Sequence, residues 1–97
     1  MTFHTLLDTV PTQTQDYPIY INGLRVWDYK EVSDSKIYLI SENLFEKDFD
    51  EYVGFNELSK FIHTSALIPH AIHLFCEHTG EKLTKYKWNS DHLLLSF

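Results

Sequence analysis

The chain of 97 residues holds one cysteine, three glycines and three prolines, and 8 lysines and arginines against 14 acids. A lone Cys76 cannot form an intramolecular disulfide, so a reducing, cytoplasmic setting is expected. Three glycines leave little material for a phosphate cradle, and neither GxGxxG nor a P-loop pattern occurs. No run approaches the roughly 18 apolar residues of a membrane span, and the opening MTFHTLLDTV carries no Lys or Arg of the kind that starts a secretory signal. The shortage of cations speaks against direct nucleic-acid binding, which draws its affinity from clustered Lys and Arg. Against these absences stand 43% hydrophobic and 15% aromatic residues, enough bulky material for one compact domain without staples.

The formal charge of −6 is unevenly placed. Residues 1–27 carry −1, residues 28–57 carry −6 and residues 58–97 carry +1, so the middle third supplies the whole excess. Within it, ENLFEKDFDE packs Glu42, Glu46, Asp48, Asp50 and Glu51 around a single lysine, Lys47, with Phe45 and Phe49 interleaved and Tyr52 following. Such a run is either a solvated connection anchored by its aromatics or a negative surface that steers and docks a basic partner.

Periodicity predicts the order α-β-β-β twice. Phe3, Leu6, Leu7 and Val10 have helical spacing behind a capping Thr2 and before Pro11. Asn22-Gly23 between PIYI and LRVW is a strong hairpin signal, since a type I′ turn needs positive φ at both central residues. Strands are expected near 17–21, 24–32 and 36–41. After the acidic connection, Asn56 is the expected cap of a second helix along Leu58, Phe61 and Ile62, stopping before Pro69. HAIHLFCE then alternates so that Ile72, Leu74 and Cys76 share a strand face, although Pro69 and Gly80 would also punctuate a helix over 69–78. Lys82–Trp88 and HLLLSF complete the second set. Tyr29–Ser41 also echoes Tyr86–Ser96 if two residues are skipped. The expectation is a single α+β domain of two such units, 1–41 and 55–97, joined by the acidic connection 42–54. Its meanders are expected to be antiparallel throughout, with the helices on one face.

Candidate chemistry is thin. His70, His73, Cys76 and His78 crowd into nine residues, but the spacing matches no zinc pattern, and a strand would point His73 away from the other three. A helix would align His70, His73 and Glu77 instead. Cys76 between His73 and His78 could be an activated thiol, yet flanked by Leu74 and Phe75 it fits a small core residue better. Asp48-x-Asp50 lacks the glycine and terminal glutamate of a calcium loop. No metal, no cofactor and no enzymatic activity are therefore expected.

Two resemblances bear on function. The α-β-β-β-α order of residues 2–66 resembles the double-stranded-RNA-binding domain, which would imply RNA contacts. That family opens its last helix with several lysines, whereas Asn56–Lys60 offers one. Residues 2–41, TFHTLLDTVPTQTQDYPIYINGLRVWDYKEVSDSKIYLIS, are similar to the short helix and meander of small phage and mobile-element proteins. That resemblance implies an acidic inhibitor of the anti-CRISPR, antirestriction or immunity type, which occupies a basic nucleic-acid or substrate groove. The expected function is thus a protein-binding inhibitor docking through Glu42, Glu46, Asp48, Asp50 and Glu51, with Phe45, Phe49 and Tyr52 as anchors. A self-associating accessory protein using HLLLSF as an open strand edge, possible as a homodimer, is the second reading, and a His/Cys metal protein the third.

Overall fold

Asn22 and Gly23 adopt φ of 52° and 80°, the pair of left-handed residues that a tight hairpin requires. They join β1 (Ile19–Ile21) to β2 (Leu24–Ser33), and a second turn leads into β3 (Lys36–Ser41). In this computed structural model residues 1–12, 14–41 and 52–97 are described. Helix α1 (Phe3–Thr9) precedes the first three strands. Helix α2 (Phe55–Thr64) then leads to β4 (His73–Cys76), β5 (Lys85–Trp88) and β6 (Leu93–Ser96). The architecture is a single small α+β domain in which α-β-β-β occurs twice.

Residues 69–78 contain a strand rather than a helix, and Ile72, Leu74 and Cys76 are all buried on one side of it. The second helix starts two residues earlier than expected, and Asn56 is not its cap. Gly54 occupies that position, and the Asp16 carboxylate accepts the Asn56 backbone N–H at 2.7 Å. A carboxylate distant in sequence thereby satisfies an orphan donor and opposes the positive end of the helix. The helix ends well before Pro69, through a Schellman motif. Leu67 N–H reaches Ile62 O at 3.1 Å and Ala66 N–H reaches His63 O at 3.2 Å, with Ala66 left-handed at φ 57°.

The expectation of antiparallel pairing throughout is corrected. The sheet order is β4-β3-β2-β1-β6-β5. β1–β2, β2–β3 and β5–β6 are antiparallel, but β3–β4 and β1–β6 are parallel. The cause of the first is α2: a helical crossover returns the chain to the end from which β3 started, so β4 must run alongside it. The second lets Leu93 and Leu95 face the interior beside Ile19 and Ile21, their ladder partners.

The sheet also curls until its ends meet. Cys76 N–H bonds Glu81 O and Leu83 N–H bonds Leu74 O, both at 2.9 Å, and Phe75 bridges Lys82 on the approach to β5. This geometry overturns the open-edge reading of HLLLSF, because β6 lies between β1 and β5. Inside the curl, Val26, Ile37, Leu39, Leu74, Leu83 and Leu93 form one core with Phe3 and Leu6 of α1 and Phe55, Leu58 and Ile62 of α2. The helices meet where Phe3 stacks on Phe55 at 5.3 Å.

The sequence echo is only half in register. Tyr29 pairs with Leu39, and Tyr86 pairs with Leu95. The buried pairs Ile37/Leu39 and Leu93/Leu95 are therefore equivalent, and one skipped residue, not two, aligns them. A register shift between Glu31 and Ser33 accommodates the extra residue.

Candidate acidic docking surface

Seven of the eight docking residues expected from sequence, Glu42, Phe45, Glu46, Asp48, Phe49, Asp50 and Glu51, lie outside the described residues. Where that segment leaves and rejoins the fold is defined. Ser41 is the ladder partner of Val26, and Val53 N–H donates to Val26 O at 3.2 Å. Both flanks of the acidic decapeptide are thus fastened to the same residue of β2. Tyr52, the eighth residue, is half-buried, with the Arg25 guanidinium 4.4 Å above its ring centroid. That contact holds an aromatic and a cation at the foot of the segment.

Two further acids converge on this part of β2. Asp28 of β2 and Glu57 of α2 both act on Tyr29, whose ring lies 4.8 Å from that of Phe61. Burial, then the Glu57 charge, then the Asp28 charge push the Tyr29 hydroxyl above its ordinary pKa, because each disfavours the phenolate. Asp28 stays near Tyr29 through its own chain, its Oδ1 accepting the Tyr29 N–H at 2.8 Å. Glu57 arrives because Asp16 and Gly54 set the start of α2. Sequence reading counted both acids in the charged third but left them out of the docking set. Their convergence depends on α2 folding back toward β2, which no local pattern encodes.

A second feature lies between the helices, an open groove of about 530 Å³ that includes His4, Asp8, Phe55, Lys60 and His63. Its imidazoles are engaged. His4 Nε2 meets Asp8 Oδ2 at 2.8 Å, one helical turn on, and the His4 ring stacks on His70 at 3.5 Å. His63 Nδ1 lies 2.7 Å from the Ser59 carbonyl, which can only accept, so that nitrogen carries the proton. The groove can admit a small molecule; its hydroxyl–imidazole contact, Ser59 Oγ to His63 Nδ1 at 3.5 Å, falls on the nitrogen that carries the proton.

The His/Cys crowd does not assemble. Cys76 is buried in the core, whereas His73 sits on the opposite strand face opposite Lys36 and hydrogen-bonds the Met1 carbonyl at 3.2 Å. His70 is committed to the His4 stack. Among the described residues no three His, Cys, Asp or Glu side chains are grouped to hold a metal ion. Among them, too, no helix is long and apolar enough to cross a membrane. Comparison with known protein families, with curated proteins and with solved structures returned no match.

Proposed function

We propose that this chain is a small non-enzymatic inhibitor that docks an acidic surface onto a basic, nucleic-acid-binding face of a partner protein in the cytoplasm. A phage or mobile-element protein of the anti-CRISPR or antirestriction kind is the type of molecule this reading describes. The observation that carries it is convergence. Asp28 and Glu57, far apart in sequence, meet around Tyr29 on β2, the strand to which both flanks of the acidic decapeptide are tied. Negative charge from Asp28 and Glu57 is thereby gathered around Tyr29, on the strand that fastens both ends of the acidic segment. Such a concentration accelerates encounter with a positive groove and disfavours acidic competitors. Tyr52 and Phe61 provide half-buried aromatic surface beside the charge.

Reversing Glu42, Glu46, Asp48, Asp50 and Glu51 to lysine tests the reading. The tagged wild-type chain should retain a basic protein from nuclease-treated host lysate, and raising salt should weaken capture steeply. The reversed chain, folded by circular dichroism, should retain none. Equal capture by both would remove the acidic surface from the interface.

A further inference from the structure

The whole-chain charge conceals a face of the opposite sign. Register assigns each exposed strand residue a side of the sheet, since alternate side chains point to opposite faces. Lys30 pairs with Tyr38, Lys36 with His73, Lys85 with Ser96 and Lys87 with Leu94, while Lys82 bridges Phe75. None of these partners belongs to the buried core, so all five lysines project from the outer face of the curled sheet. Among the described strand residues Asp28, opposite Ile40, is the one carboxylate paired onto that side; Glu31 lies opposite the core residue Ile37.

Apolar rings lie among these cations. Tyr38 and Phe75, on adjacent strands, stand nearly parallel at 14°, with centroids 5.1 Å apart, and the Lys36 ammonium lies 5.6 Å from the Phe75 centroid. Both rings are half-buried, so each retains surface to offer. The spacing is close to that between neighbouring strands, as expected of two rings carried side by side on adjacent strands. Lys30 flanks the pair beyond Tyr38, and Lys82 flanks it beyond Phe75. The result is a stacked aromatic pair with a cation on each side, built from four neighbouring segments of the fold.

We propose that this outer face binds single-stranded nucleic acid, with Tyr38 and Phe75 stacking on bases and Lys30, Lys36 and Lys82 meeting phosphates. Lysines alone would fit any polyanion. The paired rings decide in favour of a strand whose unpaired bases present flat faces at every residue, something an acidic polypeptide lacks. A duplex hides those faces within its stack, so single strands are preferred. The net charge of −6 makes this binding weak at physiological salt and strongly dependent on ionic strength, because the acids elsewhere repel the same phosphates. The inference goes beyond the inhibitor proposed above and uses different residues. A nucleoprotein target would offer a basic groove to one surface and a strand to the other.

The test is fluorescence anisotropy of labelled oligo(dT) and oligo(U) titrated with the intact chain at low salt. Poly-glutamate and a blunt DNA duplex serve as competing polyanions. Saturable binding is expected to fall steeply with salt and to be displaced by unlabelled single strands more readily than by duplex or poly-glutamate. Lys30→Glu with Lys36→Glu should weaken it at least about tenfold and flatten the salt slope. Tyr38→Ala with Phe75→Ala should weaken it by about fivefold or more without changing that slope. Because the aromatic variant also loses packing, Tyr38→Leu with Phe75→Leu is the companion that keeps apolar bulk but removes stacking. No saturable binding at low salt overturns the proposal. So does displacement by poly-glutamate as good as by single strands, which would assign the face to an acidic polypeptide, or unchanged affinity in the folded leucine variant.

Discussion

Tyr29 and Tyr86 occupy the same place in the two halves of the fold, opposite Leu39 and Leu95 of the following strand. Their surroundings differ in sign. Tyr29 lies within reach of Asp28 and Glu57, whereas Tyr86 sits between Lys85 and Lys87 on β5. The halves thus share a hydrophobic framework and diverge in surface electrostatics. The framework constrains which positions are apolar, because every strand must turn one side inward. It places no such demand on outward positions, so the charges around Tyr29 and Tyr86 could diverge without disturbing the core. Connections differ too. β1 and β2 are joined by a two-residue turn, while β4 and β5 meet only through the bonds around Phe75 and Lys82.

The largest effects should come from the shared framework. Leu39→Ala and Leu95→Ala, each at a fully or almost fully buried position, should each lose about 2–5 kcal/mol in chemical denaturation. A large loss from one and almost none from the other would break the equivalence of the halves. Gly54→Ala comes next. A Cβ there would run into the Asp16 carboxylate, so about 1–3 kcal/mol should be lost. Asp16→Ala alone removes the hydrogen bond to the Asn56 N–H and should lose about 1 kcal/mol. The double variant should then lose less than the sum of the two, because the clash needs both groups.

Ala66→Gly should stabilise the protein by about 1 kcal/mol, since Ala66 holds the left-handed position of the Schellman motif at φ 57°. Thermal melting reads this directly, and a lower midpoint would mean that Ala66 serves some contact beyond the cap. The smallest effect concerns Tyr29. Its folded pKa is raised, so its contribution to stability is complete below the ordinary tyrosine value near 10 and is lost as pH rises through the folded value. Tyr29→Phe should therefore flatten the alkaline fall in stability, and Glu57→Gln should move tyrosinate absorbance toward lower pH.

Much of the architecture was legible in the sequence because its signals are local. Asn22-Gly23 encodes a turn through backbone sterics, and the alternation of Ile72, Leu74 and Cys76 marks a strand. Pairing direction was not legible. Whether β4 joins β3 or β5 depends on where α2 carries the chain, and the burial pattern of β4 is the same either way. The acidic decapeptide stood out in composition, but Asp28 and Glu57 emerge as its neighbours only when α2 folds back. Asp16 gave no signal either, since the helix it caps begins about forty residues later. The basic face was hidden for a related reason. A net charge adds up residues without regard to side, and the five lysines are scattered along the sequence while sharing one surface.

The parallel pairing of β1 with β6 also governs the order in which the protein can be completed. Ile19 is synthesised well before its ladder partner Leu93, and until Leu93 follows, β2 is the one ladder neighbour that β1 has. The sheet around β1 therefore cannot reach its final state until β6 has been made. Synthesis thus leaves one edge of Ile19 and Ile21 unpaired until β6 follows. That interval is when the chain is most open to aggregation or to capture by a chaperone, and it closes only when residues 93–96 leave the ribosome.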